Sequence, residues 1–353
     1  MSVETRLDRY RRFFADDRPG ALLARIGYPR PSTGPAGPAL TLLDYDFTRM
    51  EEHRRYWDRL LESTFRSLEG AEELDDDFIP GIILHYGFGA FGAVYCDVPL
   101  VFTENTSYMA HALTTWEEWE ACRYEPSRFW SEVFVEAARY MSEKADGAFF
   151  VDPYPNPSPL DVANLIMGNE LFTAFYEQPE RMHALLAHLT RETIANWEAV
   201  SAAKVNPPPG TMCFSAWVPA GPLLLEDAAD LCSPATYREF GMPYTGQVLA
   251  AGGGGYIHHH SLGRHQYANM ASLAHLNVLQ ISSDPNCVRP PEDLEYLLEQ
   301  VGTHPCDVEI TPEEIRRHIG QLTQGRFICR TNCGSLEEAR ELLGFVRGHS
   351  REL

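Results

Sequence analysis

Short apolar runs alternate with longer stretches of helical periodicity along most of the chain. The runs at residues 22–26, 81–86, 148–152, 211–217, Tyr256–His260, 277–281, 306–310 and 327–330 predict eight strands. Between them, apolar positions at helical spacing predict helices, the longest starting near Arg181 and running towards Trp197. Helix starts are marked as well. Ser233 followed by Pro234 reads as an N-cap with proline at the first helical position. Thr311 with Glu314, and Ser335 with Glu338, read as capping boxes.

Eight strands alternating with helices predict an α/β protein built as a (β/α)8 barrel, one domain over residues 1–353. The helical patterns up to Leu23 and over Met50–Leu68 are expected to decorate its N-terminal part. A doubly wound open sheet is the rival architecture. It would place a glycine-rich turn after a strand, whereas Gly252 to Gly255 precede one. The proline-rich pieces around Pro29 to Pro38, Pro153 to Pro157 and Pro207 to Pro209 are short and read as loops rather than linkers.

In such a barrel the chemistry sits at the C-terminal ends of the strands. Those ends carry Arg25, Tyr86, Tyr154, Trp217, His258, His260, Asp284, Glu309 and Cys333. The sharpest pattern is His258, His259 and His260 on one strand. Side chains alternate faces along a strand, so His258 and His260 point one way and His259 the other. Two imidazoles on one face form half of a zinc site, and Cys333, after the last strand, is the candidate third ligand. Two His and one Cys with an open position suit a catalytic Zn²⁺, acting as a Lewis acid or on a bound thiol. Three polar residues at a strand end, hydrogen-bonded to their neighbours, are the plainer alternative.

Charge narrows the partners. Against 29 Lys and Arg stand 50 Asp and Glu, a formal net charge of −21. That field repels nucleic-acid phosphates and anionic lipid, so the expected partner is a small-molecule substrate, with no nucleic acid and no membrane. The most apolar region, residues 79–95, is broken by Pro80, His85 and several glycines, too short for a spanning helix. The first twenty residues carry no apolar stretch that would make a signal peptide. Eight cysteines are too few for a disulfide framework, and a cytoplasmic chain with reduced thiols is expected.

Several motifs together resemble the uroporphyrinogen decarboxylase superfamily, which also contains the zinc-dependent methylcobamide:thiol methyltransferases. They are Asp77-Phe78-Ile79-Pro80 with Phe88-Gly89-Ala90-Phe91-Gly92, and Pro157-Ser158-Pro159-Leu160-Asp161 with Gly168-Asn169-Glu170 and Pro179-Glu180-Arg181. The segment from Asp230 to Phe240, Pro243-Tyr244, the His258 strand and Asn332-Cys333-Gly334 complete the set. The resemblance implies the same (β/α)8 barrel. In the methyltransferase branch, zinc is held by a His-x-Cys pair and a later Cys. Here His258 and Cys333 match, and His260 stands where the first Cys would be. The decarboxylase branch carries two arginines near its N-terminus, of which only Arg25 has a counterpart.

The resemblance therefore implies a zinc-dependent methyl transferase that passes a methyl group from a corrinoid, carried on a partner protein, or from another donor to a thiol. Its site would comprise His258, His260 and Cys333 on the metal. Tyr154, Arg25 and Glu309 are the expected catalytic groups, and Trp217, Tyr86 and Asp284 the residues around the cofactor. A homodimer is the assembly the superfamily suggests. The alternatives are a cofactor-free decarboxylase using Arg25 and Tyr154, and a non-catalytic barrel that binds a corrinoid or tetrapyrrole.

Overall fold

A computed structural model describes residues 3–29, 41–69, 73–110 and 113–353. Its strands are β1 (Ala21–Gly27), β2 (Gly81–Ile82), β3 (Leu100–Phe102), β4 (Ser107–Met109), β5 (Phe150–Val151), β6 (Asn156–Pro157), β7 (Thr211–Cys213), β8 (Ala216–Val218), β9 (Leu223–Leu225), β10 (Tyr256–His260), β11 (Val278–Ser282), β12 (Cys306–Glu309) and β13 (Arg326–Asn332). Seven strands form a parallel sheet in the order β1-β13-β12-β11-β10-β9-β6, and β2 pairs in parallel with β5. Because β5 and β6 lie on one short segment, that segment links the two sheets. The result is eight staves alternating with helices, the expected barrel architecture.

Two apolar layers follow from strand alternation. Leu23, Tyr256, Val278 and Ile328 pack inside the barrel. Their neighbours Leu22, Ile257, Leu279 and Cys329 pack outward against the helices. The expected helix starts are present. Ser233 accepts the Thr236 N–H ahead of Pro234, and Thr311 with Glu314 forms a reciprocal capping box. The Ser335 hydroxyl accepts the Glu338 N–H, while the Glu338 carboxylate accepts from Gly334 instead of Ser335.

Two staves are shorter than their apolar runs, covering only Gly81–Ile82 and Phe150–Val151. A third expectation is corrected. Residues 211–217 are not a stave. They fold as the antiparallel hairpin β7–β8, turned at Phe214 and Ser215 with φ of 45° and 65°. The fourth stave is instead β9, three consecutive leucines paired to β10. Met212, Ala216 and Trp217 of the hairpin lie in the inner layer with Tyr10 and Phe13 of the helix Val3–Ala15. The hairpin and this first helix thus fill the end of the barrel away from the strand C-termini. Among the described residues, no helix is long and apolar enough to cross a membrane.

Candidate metal centre

Strand β10 turns His258 and His260 into the barrel, with their Nε2 atoms 3.1 Å apart. Next to it, the β9 ladder runs one bond further, from Glu226 N–H to the His258 carbonyl (3.1 Å), and so brings Asp227 alongside. Asp227 Oδ1 lies 3.5 Å from His260 Nε2 and 3.9 Å from His258 Nε2. These three ligand atoms converge within 4.8 Å of one another. Asp227 Oδ1 is out of contact with solvent and accepts no hydrogen bond among the described residues. A buried acceptor facing two imidazole nitrogens is the arrangement a divalent cation completes, and two His with one carboxylate are an ordinary catalytic zinc set. The residues fit a metal.

Each ligand is held from behind. Asp284 Oδ1 lies 2.8 Å from His260 Nδ1, and Asp284 Oδ2 accepts the Leu262 N–H at 2.8 Å. Burial works to raise the Asp284 pKa, but these partners outweigh it and hold the carboxyl below its ordinary value. Asp161 accepts the N–H groups of Asp227 (3.0 Å) and Ala228 (2.7 Å), which fixes the backbone of the third ligand. Burial pushes the Asp227 carboxyl up to about 6 and the His258 imidazole down to about 4. His259 faces the outer layer, as alternation requires, with its nitrogens 3.1 Å from the Glu226 carbonyl and 3.0 Å from that of Gly263.

Behind His258 lies a polar chain leading to a cavity of about 350 Å³, lined among others by Arg25, Phe78, Glu309 and Arg330. Asp307, fully buried, pairs with Arg25 Nη1 (2.9 Å) and Arg330 Nε (2.8 Å) and accepts the Tyr256 hydroxyl (2.8 Å). Arg25 also donates to the Phe214 carbonyl at the hairpin turn. The Gln280 side chain sits between Arg330 and His258. A guanidinium only donates, so the amide oxygen faces Arg330 Nη2 (2.6 Å) and the amide nitrogen faces His258 Nδ1.

Of the residues expected from sequence, the structure gathers His258, His260 and Asp284 at one point. Arg25 and Glu309 line the neighbouring cavity. Cys333 is not among the convergent ligand atoms. Its side chain belongs to the outer layer, where burial raises the thiol to about 11 beside Glu338, Arg316 and Glu313 of the flanking helices. The strand parity that turns Arg330 inward turns Cys329 and Cys333 outward.

Three expected aromatic residues are core. Tyr154 donates to the Phe91 carbonyl and packs edge-on against Phe134. Tyr86 accepts from Trp57 within a buried aromatic cluster. Trp217 donates to the Pro209 carbonyl at the opposite end of the barrel. Sequence reading missed Asp227, Gln280, Asp307 and Arg330. For Asp227 the available signal was the polar break after Leu223-Leu224-Leu225, which marks a strand end.

The described fold is similar to a solved structure of a methyltransferase from Methanosarcina mazei, with a TM-score of 0.61 and 13% identity over 99% of each chain. At that identity the likeness shows the fold alone. No protein-family model matches the chain, and no curated protein sequence matches it.

Proposed function

We propose that this barrel is a zinc-dependent methyl, or other one-carbon, transferase that passes the group from a corrinoid or another methyl donor to a thiol. The reading rests on the convergence of His258 Nε2, His260 Nε2 and the unpartnered Asp227 Oδ1 in the barrel mouth. The likeness in fold to a protein named as a methyltransferase supports it. A Zn²⁺ held there would supply Lewis acidity and keep an acceptor thiol deprotonated. The chain's own groups do the rest. Asp284 fixes the His260 ring, Asp161 fixes the Asp227 backbone, and the cavity under Arg25 and Arg330 accommodates the body of the acceptor. The corrinoid donor would be presented by a separate protein.

The test combines metal analysis with activity. Full-length chain dialysed against Zn²⁺ should retain a single ion and methylate a small thiol such as dithiothreitol from methylcobalamin. Asp227→Ala and His258→Ala should lose the ion and the turnover together. Activity that survives chelation, or a chain that retains no zinc, overturns the reading.

One observation favours a second reading. Arg25 and Arg330 are register partners in the β1–β13 ladder and face the same cavity, a natural grip for the carboxylate of an acid undergoing decarboxylation. Tyr154 cannot serve as its proton donor from within the core. This reading predicts chelator-resistant activity that collapses in Arg25→Ala.

A further inference from the structure

The Gln280 side chain carries one amide oxygen and stands between two groups that compete for it. Arg330 Nη2, always a donor, is 2.6 Å from one end of the amide. His258 Nδ1 is in contact with the other end. With the oxygen on Arg330, the amide nitrogen donates to His258 Nδ1, and the ring hydrogen of His258 must sit on Nε2. It then points at His260 Nε2, 3.1 Å away, whose other nitrogen donates to Asp284 at 2.8 Å. This chain satisfies every member, yet it occupies the lone pair through which His258 would ligate a metal.

Turning the amide over gives its oxygen to a hydrogen on His258 Nδ1 and frees Nε2. It also sets the amide N–H₂ against Arg330, donor against donor. The turned state therefore needs another acceptor for Arg330. Arg330 is a quarter exposed and lines the 350 Å³ cavity, where an anion could supply one. Glu309, its register partner on β12, is exposed at the same wall.

We propose that Gln280 is a positioning residue that links the two halves of the site, so that an anion received by Arg330 in the cavity tightens metal binding at His258, His260 and Asp227. The inference rests on the metal-centre reading above and adds regulation to it. By reciprocity, the metal tightens the anion by the same factor. An acceptor substrate with an anionic group would then bind best to the loaded site.

The experiment titrates Zn²⁺ or Co²⁺ into metal-stripped full-length chain and reads affinity by calorimetry and by the Co²⁺ absorption spectrum. Replacing perchlorate with inorganic sulfate at constant ionic strength should tighten metal binding of the parent about tenfold, the usual range for groups behind a ligand. Gln280→Glu offers oxygens to both donors at once. It should bind metal about tenfold tighter than the parent and lose the response to sulfate. Arg330→Met should also bind metal more tightly. Binding that ignores sulfate, or that weakens in Gln280→Glu, overturns the coupling while leaving the metal centre standing. If no protein in the series binds metal, the coupling and the proposed function fall together.

Discussion

Asp227 places a carboxylate oxygen where solvent does not reach it and where no donor among the described residues does, and burial raises its pKa to about 6. A carboxylate left this way is a liability in the metal-free protein at pH 8, because burial disfavours its charge and a neutral amide of the same shape escapes that cost. Asp227→Asn should therefore act in opposite directions on stability and binding. Metal-free Asp227→Asn is expected to unfold at a higher temperature than the parent at pH 8, while its zinc affinity falls at least a hundredfold. A variant that loses stability without added metal would show that the carboxylate has a structural partner. The histidine pair was legible in sequence because strand alternation alone fixes which imidazoles share a face. Asp227 was not, because its place depends on how far β9 pairs with β10 beyond Leu225, a tertiary register. Cys333 lies outside the cluster for a different reason: by the parity of β13, a sulfur one residue beyond Asn332 faces the helices.

The hairpin β7–β8 shows why an apolar run can predict a strand and yet fail as a stave. Residues 211–217 are apolar except for Thr211 and Ser215, but the chain reverses at Phe214 and Ser215, both left-handed. Two-residue hairpin turns of this hand are normally announced by Asn-Gly or a similar pair, and Phe-Ser gives no such signal. The strain is measurable. Left-handed φ costs a non-glycine residue roughly 1–2 kcal/mol, partly offset by glycine's freer unfolded chain. Ser215→Gly should stabilise the protein by roughly 0.5–1 kcal/mol in denaturant unfolding, and a destabilised variant would contradict this reading of the turn.

Between β9, β10 and the helix Met242–Gly252, the fully buried Glu226 accepts from Ser158 (3.0 Å) and Thr245 (2.7 Å). Burial raises its pKa from 4.5 to about 7. The folded state then binds a proton that the unfolded chain has released. Its stabilising contribution is complete below 4.5 and is lost as pH rises towards 7. Glu226→Gln should flatten the decline in melting temperature of the metal-free protein between pH 5 and 8. An unchanged slope would show that Glu226 stays charged in the folded protein.

The closure of the barrel joins the two ends of the chain. No β1–β2 ladder forms; the gap between these staves is bridged largely by carboxylates. Asp77 Oδ2 accepts the Ala24 N–H (2.8 Å) and Asp76 Oδ2 that of Ile26 (2.9 Å), so two side chains stand in for a strand. The same acidic segment is gripped from both termini. Arg9 of the first helix pairs with Asp77 and Asp75, and Arg347 of the last helix, Leu336–His349, pairs with Asp75. Nothing local in the run of three aspartates reveals that Asp76 and Asp77 are buried. Among the described residues, the first and last helices converge on this seam and supply the cations that make the burial tolerable. Removing one cation should therefore be severe. Arg9→Met strips the ion-pair partner from an enclosed carboxyl whose pKa burial already raises, and breaking a buried pair from one side costs about 3–5 kcal/mol. Adding Asp77→Asn should restore part of that loss, because the asparagine oxygen can still accept the Ala24 N–H without an uncompensated charge. If Arg9→Met unfolds within about 1 kcal/mol of the parent, a surface-pair value, the seam is not held by this ion pair and the first helix is only a cover.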